Sequence, residues 1–137
     1  MRIVPYLPEH GMAIRENLAE GIVLPPEHLR ALEGYSAVMD SGAIVCCAGV
    51  AQWAELPHIG TAWAFVSNQI GLPAFAAVTR ATQAFLETRS EKRIEAKCRA
   101  DWIQARRWLE VLGFRYEGPV WKYAPDGSDF AQYARVQ

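Results

Sequence analysis

The sequence predicts a single α/β domain over residues 1–137, built as a mixed, mostly antiparallel sheet with helices on both faces. Three observations carry this reading. An apolar strand at Ile59–Ser67, an amphipathic helix from Pro73 and an alternating strand at Lys92–Arg99 follow one another, an order that demands a parallel pair joined by a right-handed crossover. Turn signals at Ser41-Gly42 and Pro125-Asp126-Gly127-Ser128 separate further strands that pair antiparallel. The composition, 51% hydrophobic and 21% charged over 137 residues, is that of an ordinary globular chain with one core.

Taken in order, Arg2–Tyr6 is a short strand stopped by Pro8. A helix follows through Met12, Ile14 and Leu18 and halts at Gly21. Pro25-Pro26-Glu27 opens a second, through Leu29 and Leu32 to Gly34, because proline is tolerated in a first turn where its missing N–H has no partner anyway. Tyr35–Asp40 and Ala43–Trp53 are strands flanking a two-residue hairpin at Ser41-Gly42. Ile59–Ser67 is apolar on both faces, with Ile59, Trp63 and Phe65 against Ala62, Ala64 and Val66, as expected of a strand covered on both sides. The helix from Pro73 to Arg89 buries Phe75, Val78, Thr82, Phe85 and Leu86 and exposes Arg80, Gln83 and Glu87. Lys92–Arg99 alternates Ile94, Ala96 and Cys98 with Arg93, Glu95, Lys97 and Arg99, a strand with one wet or site-facing side. Asp101 and Gln104 are spaced as a capping box for a helix that turns Trp102, Ala105, Leu109 and Leu112 inward and ends at Gly113. Strands Phe114–Tyr123 and Phe130–Arg135 close the chain, with a bulge or kink at Gly118-Pro119.

Charge and cysteine usage exclude several classes. Fourteen Lys and Arg against fifteen Asp and Glu leave a net charge of −1, which is unsuited to a nucleic-acid binder. Cys46, Cys47 and Cys98 form no pairing framework, and adjacent strand cysteines point to opposite faces. With no C-x-x-C motif and dispersed His10, His28 and His58, no metal site is expected. Reduced, packed thiols fit a cytoplasmic compartment. The N-terminus does not read as a signal peptide, and the longest uncharged stretch, Leu56–Thr79, is too broken by Pro57, His58, Asn68, Gln69 and Pro73 for a membrane span. Five tryptophans are many for this length, and fill either a core or an interface.

The element order resembles the GNAT superfamily of N-acetyltransferases across essentially the whole chain. In one local segment, Trp102 to Phe114, Ala105, Gly113 and Phe114 keep the spacing of a late GNAT helix that ends in Gly-Phe. The run Arg107-Trp108-Leu109-Glu110 with Leu112-Gly113-Phe114, then Arg115-Tyr116-Glu117-Gly118, is similar to small GNAT-like proteins of tailed bacteriophages. The resemblance implies a parallel pair splayed to admit acetyl-CoA, with pantetheine added along strand backbone and the pyrophosphate on the long helix N-terminus. It assigns cofactor contacts to Phe65, Val66, Ser67, Asn68, Gln69, Gly71, Ala74, Trp102 and Arg106, with Arg80 as an alternative cation and Ala96, Lys97 and Cys98 on the opposing strand.

The family's loop glycines and its late-helix residues are not all kept. Ile70, Pro73 and Phe75 occupy the loop signature positions, so the pyrophosphate loop is weakened, Pro73 lacking an N–H. Trp102 and Leu109 stand where the family has Asn and a Tyr acid, and leucine donates no proton. The positions the resemblance leaves for catalysis are His58 and Thr61 near the base position, with Glu55 beside them, and Tyr116 for the acid, with Tyr123 and Cys98 as alternatives. The implied activity is acetyl transfer from acetyl-CoA to an amine of a small molecule or protein, phage-encoded and aimed at a host target. Two alternatives stand beside it: a catalytically weakened GNAT-like module that binds a host enzyme or a virion-assembly partner, and an α/β binding module of no cofactor ancestry. A homodimer through the C-terminal strands fits the fold, and neither nucleic acid nor membrane is an expected partner.

Overall fold

In a computed structural model the described residues are 1–14, 33–53 and 55–137. They form β1 (Arg2–Pro5), α1 (Pro8–Ile14), β2 (Gly34–Val38), β3 (Ile44–Gln52), β4 (Ile59–Val66), α2 (Leu72–Glu87), β5 (Arg93–Arg99), α3 (Ile103–Val111), β6 (Arg115–Val120) and β7 (Phe130–Val136). The seven strands hydrogen-bond in the order β1-β2-β3-β4-β5-β7-β6. The β4–β5 pair is parallel and the two pairs of C-terminal strands, β5–β7 and β6–β7, are antiparallel. The expected Pro25–Gly34 helix and the end of the first helix lie outside the described residues, except that Gly34 opens β2. The chain divides into two compact units, Met1–Ala51 with Trp63–Arg89 and Gln52–Ala62 with Ser90–Gln137.

In the first unit β2 pairs antiparallel with both β1 and β3, in register Ser36↔Cys47 and Ala37↔Cys46. Strand neighbours point to opposite faces, and β2 carries a helix on each. Tyr35 meets α2, donating to Thr82 Oγ1, while Thr82 donates to the Val78 carbonyl at 2.8 Å. Ser36 meets α1, its Oγ 2.8 Å from His10 Nδ1. The two cysteines follow the same alternation. Burial raises the Tyr35 pKa and Cys46 adds to it, while Cys47 packs in a cluster with Tyr6, Ile14 and Phe65.

Gly34 and Gly49 face each other across β2 and β3. A Cβ on Gly34 would fall 2.0 Å from the Ala48 carbonyl oxygen, and one on Gly49 would fall 1.9 Å from that of Glu33, so this crossing admits only glycine. The β2–β3 connection is longer than expected. Gly42 N–H donates to the Met39 carbonyl at 2.8 Å, Met39 N–H to that of Ala43 at 2.9 Å, and Gly42 has φ +90°. This is a three-residue loop with glycine in the left-handed position rather than a two-residue turn at Ser41-Gly42. Met12 is exposed, and the buried α1 residues are Gly11 and Ile14. On α2 the buried positions are Val78, Thr82 and Leu86, while Phe75 and Phe85 are half-buried at the edges of the stripe.

In the second unit β5 alternates as expected, with Ile94, Ala96 and Cys98 buried. It pairs along its whole length with β7, from Arg93↔Val136 to Arg99↔Phe130. The β6–β7 register shifts between Tyr116 and Gly118, and Gly118 has φ +134°, which is the expected bulge. The α3 helix starts one residue later than expected. Trp102 is its N-cap and no side chain caps it; Asp101 lies instead in a turn closed by Trp102 N–H donating to the Arg99 carbonyl, its carboxylate 3.7 Å from Arg99 Nε. The C-terminus ends as expected. Gly113 N–H donates to the Glu110 carbonyl and Phe114 N–H to that of Leu109, each at 3.0 Å, with Gly113 at φ +93°. That pair of bonds is a Schellman motif.

Candidate functional site

In the first unit the expected cofactor segment follows β4. Phe65 and Ser67 are buried and Val66 is half-buried, whereas Ala64 on the alternate face is exposed, so β4 is not covered equally on both sides. Ser67 N–H donates to the Val45 carbonyl at 2.9 Å, tying the end of β4 to β3. The Ser67 hydroxyl accepts from Gln69 N–H at 3.1 Å, and Ile70 N–H bonds the Ser67 carbonyl at 3.3 Å. These bonds turn Ser67–Ile70 into α2, leaving Asn68 and Gln69 exposed.

Gly71 is the extended N-cap of α2 and provides no side-chain cap. The first intrahelical bond is Phe75 N–H to the Gly71 carbonyl at 2.9 Å. Pro73 has no N–H, so the first turn presents those of Leu72 and Ala74. Leu72 is 84% exposed, and a Cβ on Gly71 would meet only Pro73 Cδ at 3.9 Å, so the helix end is open. Open amide donors at the positive end of a 16-residue helix dipole suit a phosphate, with one donor fewer than a loop without proline.

In the second unit the parallel ladder runs Ile59↔Arg93, Gly60↔Ile94 and Thr61↔Glu95. His58 sits just before it, with an exposed side chain and a carbonyl that accepts from Lys92 and Arg93 N–H at 2.9 and 3.2 Å. Thr61 Oγ1 accepts from Trp53 Nε1–H at 2.9 Å, which leaves the threonine proton available for donation. Beside them Arg93 Nε donates to Glu95 at 2.7 Å, and its two terminal nitrogens grip both Glu117 oxygens, one at 2.9 Å. This pairing raises the Arg93 pKa and holds the Glu117 carboxyl below its ordinary value. Farther along β5, Lys97 Nζ lies 5.8 Å from the Tyr123 ring centre, and Arg99 reaches Asp126 at 3.4 Å.

The α3 helix lies over the other face of β5. Arg106 Nε donates to Tyr133 Oη at 2.9 Å and an NH group donates to the Ala100 carbonyl at 3.0 Å, with the guanidinium 5.0 Å from the Tyr116 ring centre. Tyr116 and Tyr133 are register partners with ring centres 5.5 Å apart. The bond to Tyr133 raises the Arg106 pKa further, and Arg106 in turn opposes the burial that pushes the Cys98 thiol up to about 11. Two sequence candidates, Tyr116 and Arg106, are therefore brought together, with the fully buried Tyr133 as an unexpected third member. Trp102 is half-buried and supplies the carbonyl for Arg106 N–H at 3.2 Å. Tyr133 carried no local signal beyond strand alternation; only the β6–β7 register places it there. Among the described residues no group of His, Cys, Asp and Glu is arranged to hold a metal ion, and no helix is long and apolar enough to cross a membrane.

Neither a protein-family model nor a curated protein sequence matches the chain. Solved structures do. A ribosomal-protein-alanine N-acetyltransferase from Brucella melitensis superposes with a TM-score of 0.74 at 12% identity, covering 100% of both chains. A GNAT-family acetyltransferase from Streptococcus pneumoniae gives 0.73 at 12%, covering 99% of each. The spermidine N-acetyltransferase SpeG from Vibrio cholerae, as its F149A mutant, gives 0.71 at 10%, covering 99% of this chain and 95% of that one. The seven-stranded mixed sheet, its parallel β4–β5 ladder and these near-complete superpositions together give the chain the fold of the GNAT acetyltransferases.

Proposed function

We propose that the chain is an acetyl-CoA-dependent N-acyltransferase acting on an amine of a small molecule or protein. The observation that carries this is the end-to-end superposition on acetyltransferases. The uncapped α2 N-terminus supports it, because Leu72 and Ala74 N–H fit a pyrophosphate without help from the family's glycine pair. In this reading the backbone of Phe65, Val66 and Ser67, with Asn68, Gln69, Gly71 and Ala74, would hold the cofactor.

Acetyl-CoA supplies an activated thioester; the chain's own part is to orient an amine and manage protons. Thr61, its oxygen engaged by Trp53, acts as a positioning donor, since a threonine hydroxyl is no base near neutral pH. His58 is the proton acceptor, its imidazole side chain in reach of solvent just before the parallel ladder. Tyr116 is the acid, held under the Arg106 guanidinium. Orientation contributes most of the rate, and a weak base lowers turnover without abolishing it.

The named acceptors of the superposed enzymes differ, spermidine in one and a ribosomal-protein alanine in another, so they identify no common acceptor. The resemblance of the Arg107–Phe114 segment to small phage proteins supports a phage source, and the buried, unpaired cysteines support a cytoplasmic setting. Three observations favour a second reading, a protein-binding module of reduced activity. Arg106 is spent on Tyr133 and Ala100, Leu109 replaces the acid, and Trp121 is 72% exposed.

The test is turnover, read as free CoA thiol released from acetyl-CoA over a panel of primary amines. Cys46, Cys47 and Cys98 are all buried with pKa values raised by burial, so the protein's own thiols give little background in the native state. Amine-dependent thiol release that falls at least tenfold in Tyr116→Phe supports the enzyme and its acid. No release with any amine, together with no acetyl-CoA binding, leaves the binding-module reading.

A further inference from the structure

Among the described residues, two buried side-chain polar atoms make no hydrogen bond to protein, and both belong to one aromatic cluster in the first unit: Tyr6 Oη and Trp63 Nε1. Tyr6 is only 8% exposed and packs with Ile14, Cys47 and Phe65, against Ile44 and Trp63. The Tyr6 and Trp63 rings meet edge-on at 5.0 Å and 70°, and Trp63 lies 5.3 Å from Phe65. Native proteins leave few buried polar groups unpaired, since each costs about 1–3 kcal/mol. Phenylalanine at Tyr6 would fill the same space without that cost. The retained polar atoms therefore call for a partner that arrives from outside the described residues.

Its chemistry is constrained. The indole N–H only donates, and an unpaired phenol beside it can donate too, so both require an acceptor atom. Burial, then Cys47 and Glu9, push the Tyr6 hydroxyl up to about 12, so it stays protonated, and the Glu9 charge disfavours an incoming anion. An uncharged oxygen remains, and the apolar side chains around the pair, Ile14, Ile44 and Phe65, favour an apolar or aromatic carrier for it.

We propose that Tyr6 and Trp63 form a recognition site for the neutral amide carbonyl of a small amine with an aromatic or apolar body. Describing that ligand as the acceptor of acetyl transfer rests on the proposed activity; the binding itself does not.

The test compares L-phenylalaninamide with phenethylamine, which share ring and amine and differ by the carboxamide. Binding is followed by thermal shift in wild type, Tyr6→Phe and Trp63→Phe. The amide is expected to bind at least tenfold more tightly than phenethylamine to wild type. Tyr6→Phe is expected to keep or raise the ligand-free melting temperature and to lose the amide preference, and Trp63→Phe to weaken that preference. Equal binding, no binding of the amide, or a ligand-free Tyr6→Phe protein that melts below wild type each overturns the proposal. Acetyl-CoA is titrated separately. A shift with acetyl-CoA and none with the amide removes this site alone. A shift with the amide and none with acetyl-CoA removes the transferase reading and leaves the site standing.

Discussion

Arg93 is the residue on which the polar face of β5 is organised. Its guanidinium bridges Glu95 on its own strand and Glu117 at the β6 bulge, so one cation ties two carboxylates together and braces the strand register. Glu117 has its pKa lowered chiefly by the bond to Arg93, so its contribution is present above the ordinary carboxylate value and is lost as pH falls through the lowered one. The pair is part-exposed, so Glu117→Gln should cost only about 0.2–1 kcal/mol near neutrality. The difference in melting temperature between Glu117→Gln and wild type should shrink as pH drops below about 4. An unchanged gap across that range would show that Glu117 acts by packing instead. The alternation of Lys92–Arg99 made the polar row legible from sequence, because a period of two needs no knowledge of neighbours. Glu117 was not legible as its partner, since only the bulge at Gly118 brings it within reach of Arg93.

At the scale of elements, ends and crossings decide what the chain tolerates. Gly113 sits at φ +93° inside the Schellman motif that turns α3 into β6, and a Cβ there would lie 3.3 Å from Arg135 Nε, a flexible side chain. Gly113→Ala should therefore cost about 1–2 kcal/mol, the penalty for a side chain in left-handed backbone. Gly49→Ala is a different case, because its Cβ would overlap the Glu33 carbonyl at 1.9 Å and backbone has to move. Thermal melts should place Gly113→Ala several degrees below wild type, with Gly49→Ala far lower or unfolded. Equal losses would contradict this account of the β2–β3 crossing. The glycine stop at Gly113 was readable because helix C-termini carry a local signature. The capping box at Asp101 misled, because a carboxylate has competing partners, and here Arg99 and the turn closed by its carbonyl decide where α3 begins. The hairpin at Ser41-Gly42 failed more mildly. Its glycine was placed correctly, but the bond from Met39 N–H to the Ala43 carbonyl includes Asp40 in the loop.

For the whole molecule, element order was the strongest sequence signal, and the mixed sheet with its parallel β4–β5 ladder follows it. The candidate site was less legible. The Tyr116–Arg106–Tyr133 group and the Tyr6–Trp63 pair arise from register and tertiary packing, which no local spacing encodes. The tryptophans show the same divide: Trp63 lies against the Tyr6 cluster, while Trp53 and Trp121 are exposed. What the molecule does turns on whether the open α2 N-terminus and the end of β4 receive acetyl-CoA. Thermal unfolding with and without acetyl-CoA tests this most directly, because a ligand that binds only the native state must stabilise it. A hundredfold excess over the dissociation constant should add about 2.7 kcal/mol, a rise of several degrees in melting temperature. An unchanged melting temperature at millimolar acetyl-CoA would contradict the acetyltransferase account.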